Sequence, residues 1–529
     1  MTRMSVLWIA FFFVASAHGC GPDRPADSTD VDASIRADLG PEVGAADSDG
    51  PELTGSDTVT DTAPGSAPVF EVLTVAQSAK IGLVAWLNIA TDVPTQLTVT
   101  LEDLATGLTT PIPTTGALAK KHAPVVMDLR AERAYRIHID AFDTDGMTVS
   151  GALDFETAPL PAFFAGLDVS ISDGERMQPG YTLVSAKDDS GLVTFALNAA
   201  REVVFYNTVS TSFVVPTPAG NYLAAMEHGG PIYTSTLLGK SGATIDPMAY
   251  GTLLFHHLPG ISPEGNYLTL GVELRSIEGY PVEGGGTATY QVVGDIFYEL
   301  TPAGELVNKV QLFDVLDPYR VGWCFDCPFW AMDFPGLPGG PKDWSHSNSL
   351  TIDPDDGNYV ASVLNQNWVV KLRRDTGALI WRLGPEGDFQ LAPGGRWSGR
   401  HHGVSPQQGD RILLYDNDPA SPPLFSRAVE YSLDTADWVA TQTWEYQVDP
   451  PGMTDPLGEV HRLDNGNVLI CEAALWEVLE DQGSPTWGRV VEVTYPAPSE
   501  EVFRMTLKRP DGETNFYEIF SARRIPSLY

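Results

Sequence analysis

The sequence predicts an all-β protein, in which a six-bladed β-propeller follows a small β-sandwich of the immunoglobulin or fibronectin III kind. Composition is the first reason: 50 glycines and 41 prolines among 529 residues, with 19% charged, are typical of many short strands and tight turns. The second is period-two alternation of apolar and polar residues before residue 160, and the third is a turn-strand motif that recurs after it. The length exceeds one ordinary core, so more than one domain is expected.

Residues 1–20 have the layout of a secretory signal. Arg3 precedes an apolar run from Val6 to Val14, and Cys20 ends the segment. The run is too short to span a bilayer, so we expect export. A cysteine at this place resembles the lipidated residue of a bacterial lipoprotein, and a plain signal peptide with an incidental cysteine is the alternative. We predict a periplasmic or cell-surface protein that is lipid-anchored through Cys20.

Residues 21–66 are predicted to form a disordered tether. They carry eleven Asp and Glu residues against Arg24 and Arg36, and most of the rest are small or polar. Such a segment cannot bury enough apolar surface to offset its chain entropy. The net charge of the whole chain is -37, which repels nucleic acid and anionic lipid. We therefore expect no nucleic-acid partner, and membrane contact through the lipid anchor only.

Residues 67–160 are predicted to form the β-sandwich. Segments such as "PTQLTVTLED" and "AYRIHIDAFDTDG" alternate apolar and polar residues, and turn signals such as "DTDG" separate them. Short strands at this spacing are typical of a sandwich. His122 and His138 lie in this region, where a structural role is the expected one.

Residues 161–529 are predicted to form the propeller, because a turn followed by a strand recurs along them. The copies are separated by about 45 to 90 residues, a pattern typical of blades that bury their faces against their neighbours. The terminal segment "NFYEIFSARRIP" would close the ring and bring the number of blades to six. A solenoid is the less favoured alternative, since the insertions are long. The copies are "PAGNYLAAM" (218–226), "PEGNYLTLG" (263–271), "DDGNYVASV" (355–363), "QGDRILLYD" (408–416) and "DNGNVLICE" (464–472).

Three cysteines follow the signal. Cys324 and Cys327, in "CFDC", are predicted to form a local disulfide rather than a redox or zinc site, because no second CxxC or nearby ligand pair accompanies them. Cys471 lies in the strand "NVLICEA" and is expected to be a buried small apolar residue.

Three histidines stand at comparable places before repeat strands. His257 and His401 each lie eight residues before the turn glycine of their repeat, and His346 lies eleven before its own. Residues that lead into equivalent innermost strands should converge on the central channel. Convergence favours a functional site over the structural role that a single histidine usually has. A metal site is the rival interpretation, since three histidines can hold zinc or copper.

Six motifs together resemble the bacterial arylsulfotransferase family that works without 3'-phosphoadenosine 5'-phosphosulfate. They are "HHLPGISPEGNYL", "DWSHSNSLTID", "GALIWRLG", "RHHGVSPQQGDRILLYDND", "SRAVEYSLD" and "HRLDNGNVLI". The resemblance covers roughly residues 67 to 529. It implies a six-bladed propeller with an N-terminal β-sandwich. It also implies ping-pong transfer of a sulfuryl group from a phenolic sulfate to a phenol, through a sulfohistidine and without a metal or other cofactor.

The resemblance assigns roles to individual residues. His401 in "GRHHG" corresponds to the nucleophile, chosen over its neighbour by the eight-residue spacing to Gly409. Neutral imidazole is a competent nucleophile near pH 7. The charge on the sulfuryl oxygens needs preorganised donors, which the His-x-Asn pair of "HSN" would supply. The other implied site residues are the catalytic His346 and His257 and the substrate-binding Asn348, Arg400 and His402.

One position departs from the family's pattern. The family places an arginine seven residues before a strand lysine, and counting back from Lys371 gives Leu364. Loss of one donor to a developing anion costs about 3 kcal/mol. Arg400, Arg523 or Arg524 could replace it. Two other hypotheses stay open: a non-catalytic propeller lipoprotein that binds an aromatic or anionic ligand, and a metalloenzyme that uses the histidines.

Overall fold

The computed structural model describes residues 66–529 apart from 209–211, 227–228, 283–284, 338–339, 418–424, 455–456, 477–485 and 510–516. The described elements are β-strands and five short 3₁₀ helices, so the predicted all-β class is confirmed. No helix in this part of the chain is long and apolar enough to cross a membrane. The predicted signal, the lipidation site at Cys20 and nearly all of the acidic tether lie outside the described residues.

Seven of the eight N-terminal strands form one connected sheet. The long strand β3 pairs with β1, β5 and β6 along its first half and with β4 and β7 along its second half, and β8 pairs with β7. Because β3 belongs to both halves, a sandwich of two separate sheets is not confirmed. The strands are β1 (Phe70–Ala76), β2 (Ile81–Gly82), β3 (Ala85–Asp103), β4 (Thr109–Ile112), β5 (Ala119–His122), β6 (Val125–Val126), β7 (Ala134–Phe142) and β8 (Thr148–Glu156).

The period-two alternation is visible in β7. Tyr135, Ile137, Ile139 and Ala141 are buried there, whereas the residues between them are exposed or partly exposed. These buried side chains belong to the same apolar cluster as Phe195 of the first blade. The short strand β2 does not join the N-terminal sheet but pairs with the first blade. One continuous core therefore connects the N-terminal strands to the propeller.

The remaining strands and β2 form six sheets, in which all described pairings but two are antiparallel. Five short 3₁₀ helices lie at Ala162–Gly166, Pro247–Tyr250, Leu312–Asp314, Phe329–Ala331 and Leu364–Gln366. The strands are β9 (Leu167–Ser172), β10 (Tyr181–Asp188), β11 (Gly191–Leu197), β12 (Val203–Asn207), β13 (Ser212–Pro216), β14 (Tyr222–Met226), β15 (Ile232–Thr236), β16 (Gly239–Ile245), β17 (Phe255–Ile261), β18 (Tyr267–Pro281), β19 (Thr287–Leu300), β20 (Leu306–Gln311), β21 (Lys342–Asp343), β22 (Ser347–Ile352), β23 (Tyr359–Val363), β24 (Trp368–Leu372), β25 (Leu379–Leu383), β26 (Gln390–Leu391), β27 (His402–Gln407), β28 (Arg411–Asp416), β29 (Arg427–Asp434), β30 (Val439–Tyr446), β31 (Glu459–Arg462), β32 (Val468–Trp476), β33 (Thr486–Val493), β34 (Glu501–Leu507) and β35 (Glu518–Ile525).

These sheets are the six blades of the predicted propeller, which is confirmed. Their strand orders are β35-β10-β11-β12-β2, β13-β14-β15-β16, β17-β18-β19-β20, β22-β23-β24-β25, β27-β28-β29-β30-β26 and β31-β32-β33-β34-β9, with β21 paired to β19. The ring is closed from both ends of the chain. Strand β9, which precedes the first blade in sequence, completes the last blade, and the C-terminal β35 takes the innermost place in the first.

The recurring motif is the turn between the first and second strands of five blades. Its glycine has a positive φ in every copy, a conformation that glycine adopts without steric cost. A Cβ at any of these positions would meet nothing within 4 Å. The backbone conformation, and not a lack of space, therefore requires glycine. The φ values are 81° at Gly220, 88° at Gly265, 73° at Gly357, 79° at Gly409 and 89° at Gly466.

Buried ion pairs connect neighbouring blades. Each joins a glutamate on the third strand of one blade to an arginine of the next blade, and all three glutamates are at most 1% exposed. Removing one partner of a buried pair typically costs about 3–5 kcal/mol, because the other charge stays buried. The pairs are Glu299 with Arg374 (Oε2 to Nε, 2.9 Å), Glu430 with Arg462 (Oε2 to Nη2, 2.7 Å) and Glu492 with Arg524 (Oε2 to Nη2, 2.9 Å).

Candidate functional site

Three imidazoles from successive blades converge at the inner ends of their strands. The ring centroid of His257 lies 5.4 Å from that of His346 and 5.7 Å from that of His402. We call these three residues the histidine cluster. His257 and His346 have positive φ, of 58° and 49°, a conformation that costs a non-glycine residue about 1–3 kcal/mol and is common at functional sites. The fold therefore holds these rings in place at a cost to local backbone stability.

His346 is held by a carboxylate. Its Nδ1 donates to Oδ2 of Asp343 at 2.6 Å, and the indole Nε1 of Trp330 donates to the other oxygen at 2.9 Å. Burial lowers the pKa of His346, but the charge and hydrogen bond of Asp343 outweigh it, so the pKa is raised above 6.5. His346 is thus suited to carry a proton on Nε2 and to donate it to an anion.

His402 is held by a backbone carbonyl. Its Nδ1 lies 3.0 Å from the oxygen of Gly458, which can only accept, so Nδ1 carries the hydrogen. Burial lowers the pKa of His402 to about 4. The ring is therefore neutral near pH 7, with the lone pair on Nε2. A neutral imidazole in this tautomer is a nucleophile.

His401 lies outside the histidine cluster. Its Nδ1 is 2.8 Å from the hydroxyl of Ser362 on β23, and burial lowers its pKa to about 4. Its Nε2 is buried without a hydrogen-bond partner among the described residues. His401 directly precedes β27, whereas His402 is its first residue and is the one whose ring lies beside His257. The eight-residue spacing to the turn glycine did not identify which of the two does so.

Asn348 also differs from its expected position. One N–H of its side-chain amide donates to the backbone oxygen of His401 at 2.9 Å. The hydroxyl of Ser362 donates to the same oxygen at 3.1 Å. One N–H of Asn348 therefore fixes the backbone directly before His402, and the donation to an anion that was predicted for this amide stays a prediction.

A second histidine stands behind the cluster. Nδ1 of His256 lies 2.7 Å from Nδ1 of His257, and Nε2 of His256 lies 3.1 Å from Oδ1 of Asp295 on β19. The sequence reasoning missed both His256 and Asp295. The adjacent histidines in "FHH" were the one sequence signal for His256. Asp295 had no such signal, because only the packing of β17 and β19 in one sheet brings it to His256.

The apolar Leu364 is buried beside the cluster, and its backbone N–H donates to the carbonyl of His346 at 3.3 Å. Of the three arginines that could replace the expected guanidinium, Arg524 is bound to Glu492. Arg400 lies over the ring of Trp323, 4.4 Å from its centroid. Arg523 is the third arginine that could replace the expected guanidinium.

Arg523 reaches the edge of the site through a carboxylate. Its Nη2 donates to Oε1 of Glu459 at 3.3 Å, and Oε2 of Glu459 lies 3.1 Å from Nε2 of His461. Burial would raise the pKa of Glu459, but the charge of Arg523 and the contact with His461 lower it to about 2. Glu459 directly follows the carbonyl that holds His402, so Arg523 neutralises a carboxylate at the rim of the cluster.

An aromatic insertion between β20 and β21, residues 319–334, lies against the cluster. The ring of Phe329 is 51% exposed and its centroid is 4.4 Å from that of His346. Cys324 and Cys327 form a disulfide in this insertion, and Cys471 is a buried free cysteine. An exposed aromatic ring beside a histidine is suited to contact a flat ligand.

Metal ligation was the rival interpretation of the histidines. Within the described ranges, no group of three or more His, Cys, Asp or Glu side chains is arranged to hold a metal ion.

Comparisons with known proteins identify the family. The family model for arylsulfotransferase (ASST) matches residues 170–517, and no curated protein matches the chain. A structural genomics protein of unknown function from Bacteroides thetaiotaomicron is 11% identical with a TM-score of 0.29, over 77% of this chain and 96% of that one. Dihydro-heme d1 dehydrogenase NirN is 11% identical with a TM-score of 0.25, over 74% and 73%. The family match supports an arylsulfotransferase-type enzyme that acts on small aryl substrates, and the chain belongs to the arylsulfotransferase family.

Proposed function

We propose that the protein transfers a sulfuryl group from a phenolic sulfate ester to a phenol by a ping-pong mechanism, with His402 as the residue that carries the group between the two. One observation supports this most directly. A neutral histidine with its lone pair on Nε2 and a carboxylate-held histidine, His346, both lie within 6 Å of the ring of His257. A nucleophile, His402, and a hydrogen-bond donor for an anion, His346, are thereby brought to one place.

In the first half-reaction, Nε2 of His402 attacks the sulfur of the donor. The bond from sulfur to the aryl oxygen breaks, and its electron pair leaves with the phenolate. His346 in its imidazolium form donates a hydrogen bond to the sulfuryl oxygens and stabilises their charge in the transition state. Nδ1–H of His402 stays on the carbonyl of Gly458, so the sulfated ring is cationic and is a good leaving group for the next step.

In the second half-reaction, a phenol occupies the place that the first phenolate has left. Its oxygen attacks the sulfur, the N–S bond breaks, and the electron pair returns to Nε2 of His402. The phenol must also lose its proton, since its pKa is about 10 in water. Covalent capture thus divides one sulfuryl transfer into two displacements.

The N-terminal sequence supports a location for this activity. The signal-like residues 1–20 and Cys20 favour an exported, lipid-anchored enzyme that acts outside the cytoplasm.

The proposal is tested by mixing the purified protein with 4-nitrophenyl sulfate and following nitrophenolate release with and without phenol. We expect sustained release that requires phenol. Absence of release from folded protein would contradict the proposal. In that case, calorimetric binding of 4-nitrophenyl sulfate would favour the ligand-binding propeller that the sequence also allowed.

Phe329 is expected to contact the aryl group of the donor, because its exposed ring lies beside His346. Loss of such an aromatic contact is typically worth about 0.5–1.5 kcal/mol. Phe329→Ala should therefore raise KM for 4-nitrophenyl sulfate by roughly three- to tenfold and change kcat less. Met332, in the same insertion, is 89% exposed and supplies the matched control. Equal effects of Phe329→Ala and Met332→Ala on KM would count against a direct contact.

A further inference from the structure

We propose that His257, His256 and Asp295 form a proton relay that takes the proton of the acceptor phenol in the second half-reaction. This inference rests on the proposed function and extends it to His256 and Asp295, to which the sequence motifs assigned no role. It makes His257 the residue that touches the acceptor, and His256 and Asp295 the positioning residues that act through it.

The relay is a continuous line of contacts between two blade strands. His256 and His257 are consecutive residues of β17, and Asp295 lies on β19 of the same blade. His256 is 6% exposed and Asp295 is fully buried. The second oxygen of Asp295 accepts from the backbone N–H of Ser347 at 2.5 Å, which fixes the carboxylate. The ring of Trp330 packs edge-on against His256 at 5.3 Å.

The line of contacts sets the direction of proton movement. Nε2 of His256 lies 3.1 Å from Oδ1 of Asp295, an ion-pair contact without the alignment of a hydrogen bond. Because a carboxylate favours a hydrogen on the nitrogen nearest to it, the hydrogen of a neutral His256 is placed on Nε2. Nδ1 of His256 then accepts from Nδ1–H of His257, at 2.7 Å. Nε2 of His257 is left with the lone pair, on the side of the ring away from His256.

His257 is the member of the cluster that can accept the proton. In the second half-reaction, Nε2 of His402 is bonded to sulfur and its Nδ1 already carries a hydrogen. Asp343 raises the pKa of His346 and so favours the imidazolium form of that ring, which has no lone pair to offer. Nε2 of His257 is the remaining imidazole nitrogen of the cluster with a lone pair.

The proton then moves on from His257. When Nε2 takes the phenol's hydrogen, Nδ1–H passes to Nδ1 of His256, and the positive charge comes to rest beside Asp295. Burial and the neighbouring His256, His346 and His402 lower the pKa of His257 well below 6.5, so this ring by itself holds a proton poorly. The carboxylate of Asp295 remains ionised, because His256 and Ser347 outweigh the effect of burial on its pKa. The products are the aryl sulfate, neutral His257 and imidazolium at His256.

The test measures the two half-reactions separately in the variant Asp295→Asn. The burst of nitrophenolate from 4-nitrophenyl sulfate alone needs no base. Asp295 also contributes to the raised pKa of His346, so the burst is compared on the acid side of the pH profile, where the imidazolium form is favoured in both proteins, and should keep its rate there within about twofold. Transfer to phenol should slow by about 10²–10³-fold, the usual contribution of general base catalysis. Transfer to pentafluorophenol, which is already ionised at neutral pH, should be nearly unchanged. A structural defect would slow all three reactions alike.

Two further variants complete the test. His256→Asn keeps a hydrogen-bonding group near Nδ1 of His257 but cannot hold a proton, so it should show the same acceptor dependence. Glu299→Gln changes another buried carboxylate of β19 and should not distinguish phenol from pentafluorophenol. Equal loss with both acceptors, or no loss with phenol, would overturn the relay. Absence of any burst in the unmodified protein would instead overturn the proposed function.

Discussion

Replacing His402 with alanine is expected to reduce nitrophenolate release from 4-nitrophenyl sulfate by more than about 10³-fold, as is usual for loss of a nucleophile. No other described ring combines a neutral state, a hydrogen held on Nδ1 by a carbonyl and a place in the histidine cluster. The measurement is release in the presence of phenol, in protein whose fold is checked by circular dichroism.

His401→Ala is the matched control, since it removes the adjacent ring and leaves the cluster intact. It should retain activity within about tenfold of the unmodified protein. Incubation with donor labelled in its sulfate should yield an acid-labile, base-stable label on the peptide that contains His402. A reversed result, with activity lost in His401→Ala and kept in His402→Ala, would restore the assignment that the turn spacing predicted.

The second large effect concerns the pH dependence of donor turnover. The pKa of His346 is raised by Asp343, so its imidazolium form is complete at low pH and is lost as the pH rises through that raised value. The kcat/KM for the donor should therefore fall on the alkaline side. On the acid side it should fall as the pH approaches 4, where His402 takes a proton. A bell-shaped profile is the expected result.

Asp343→Asn tests the cause of the alkaline limb. Without the carboxylate, burial dominates and the pKa of His346 falls, so the limb should move to lower pH. At pH 7 the loss in kcat/KM should reach about 10²–10³-fold, the usual effect of losing one donor to a developing anion. The control is Glu102→Gln, which removes the partly buried carboxylate 2.7 Å from His138 in the N-terminal sheet. An alkaline limb that stays in place in Asp343→Asn would contradict the role of this pair.

The propeller could be predicted from the sequence because its signal is local and repeated. Each turn glycine with its following strand lies within nine residues, as in "PEGNYLTLG", and five copies make the period visible. The N-terminal strands carry no such repeat. Alternation identified them as strands, but whether β3 would join one sheet or two depends on pairings between distant residues. For that reason the class was predictable and the arrangement of that region was not.

Part of the site was predictable for the same reason. His257 and His346 precede equivalent strands and do meet, as convergence on the channel required. The choice between His401 and His402 depends on where β27 begins, and the spacing to the turn glycine does not locate that boundary. Asp295 could not be found at all, because it lies 38 or more residues from its partners His257 and His256 and carries no motif.

The closure of the ring from both chain ends has a consequence for the order of folding. Tyr181 pairs with Ile525, and Arg523, which binds Glu459 at the rim of the site, belongs to the same closing strand. Pairing residues so far apart in sequence requires closing a very long loop, and folds that depend on such pairings form slowly. During synthesis, a chain that does not yet contain β35 cannot complete the first blade. It also lacks Arg523, the arginine that neutralises Glu459 beside His402. The first blade and the ion pair of Arg523 with Glu459 thus form only after residues 518–525 have been synthesised.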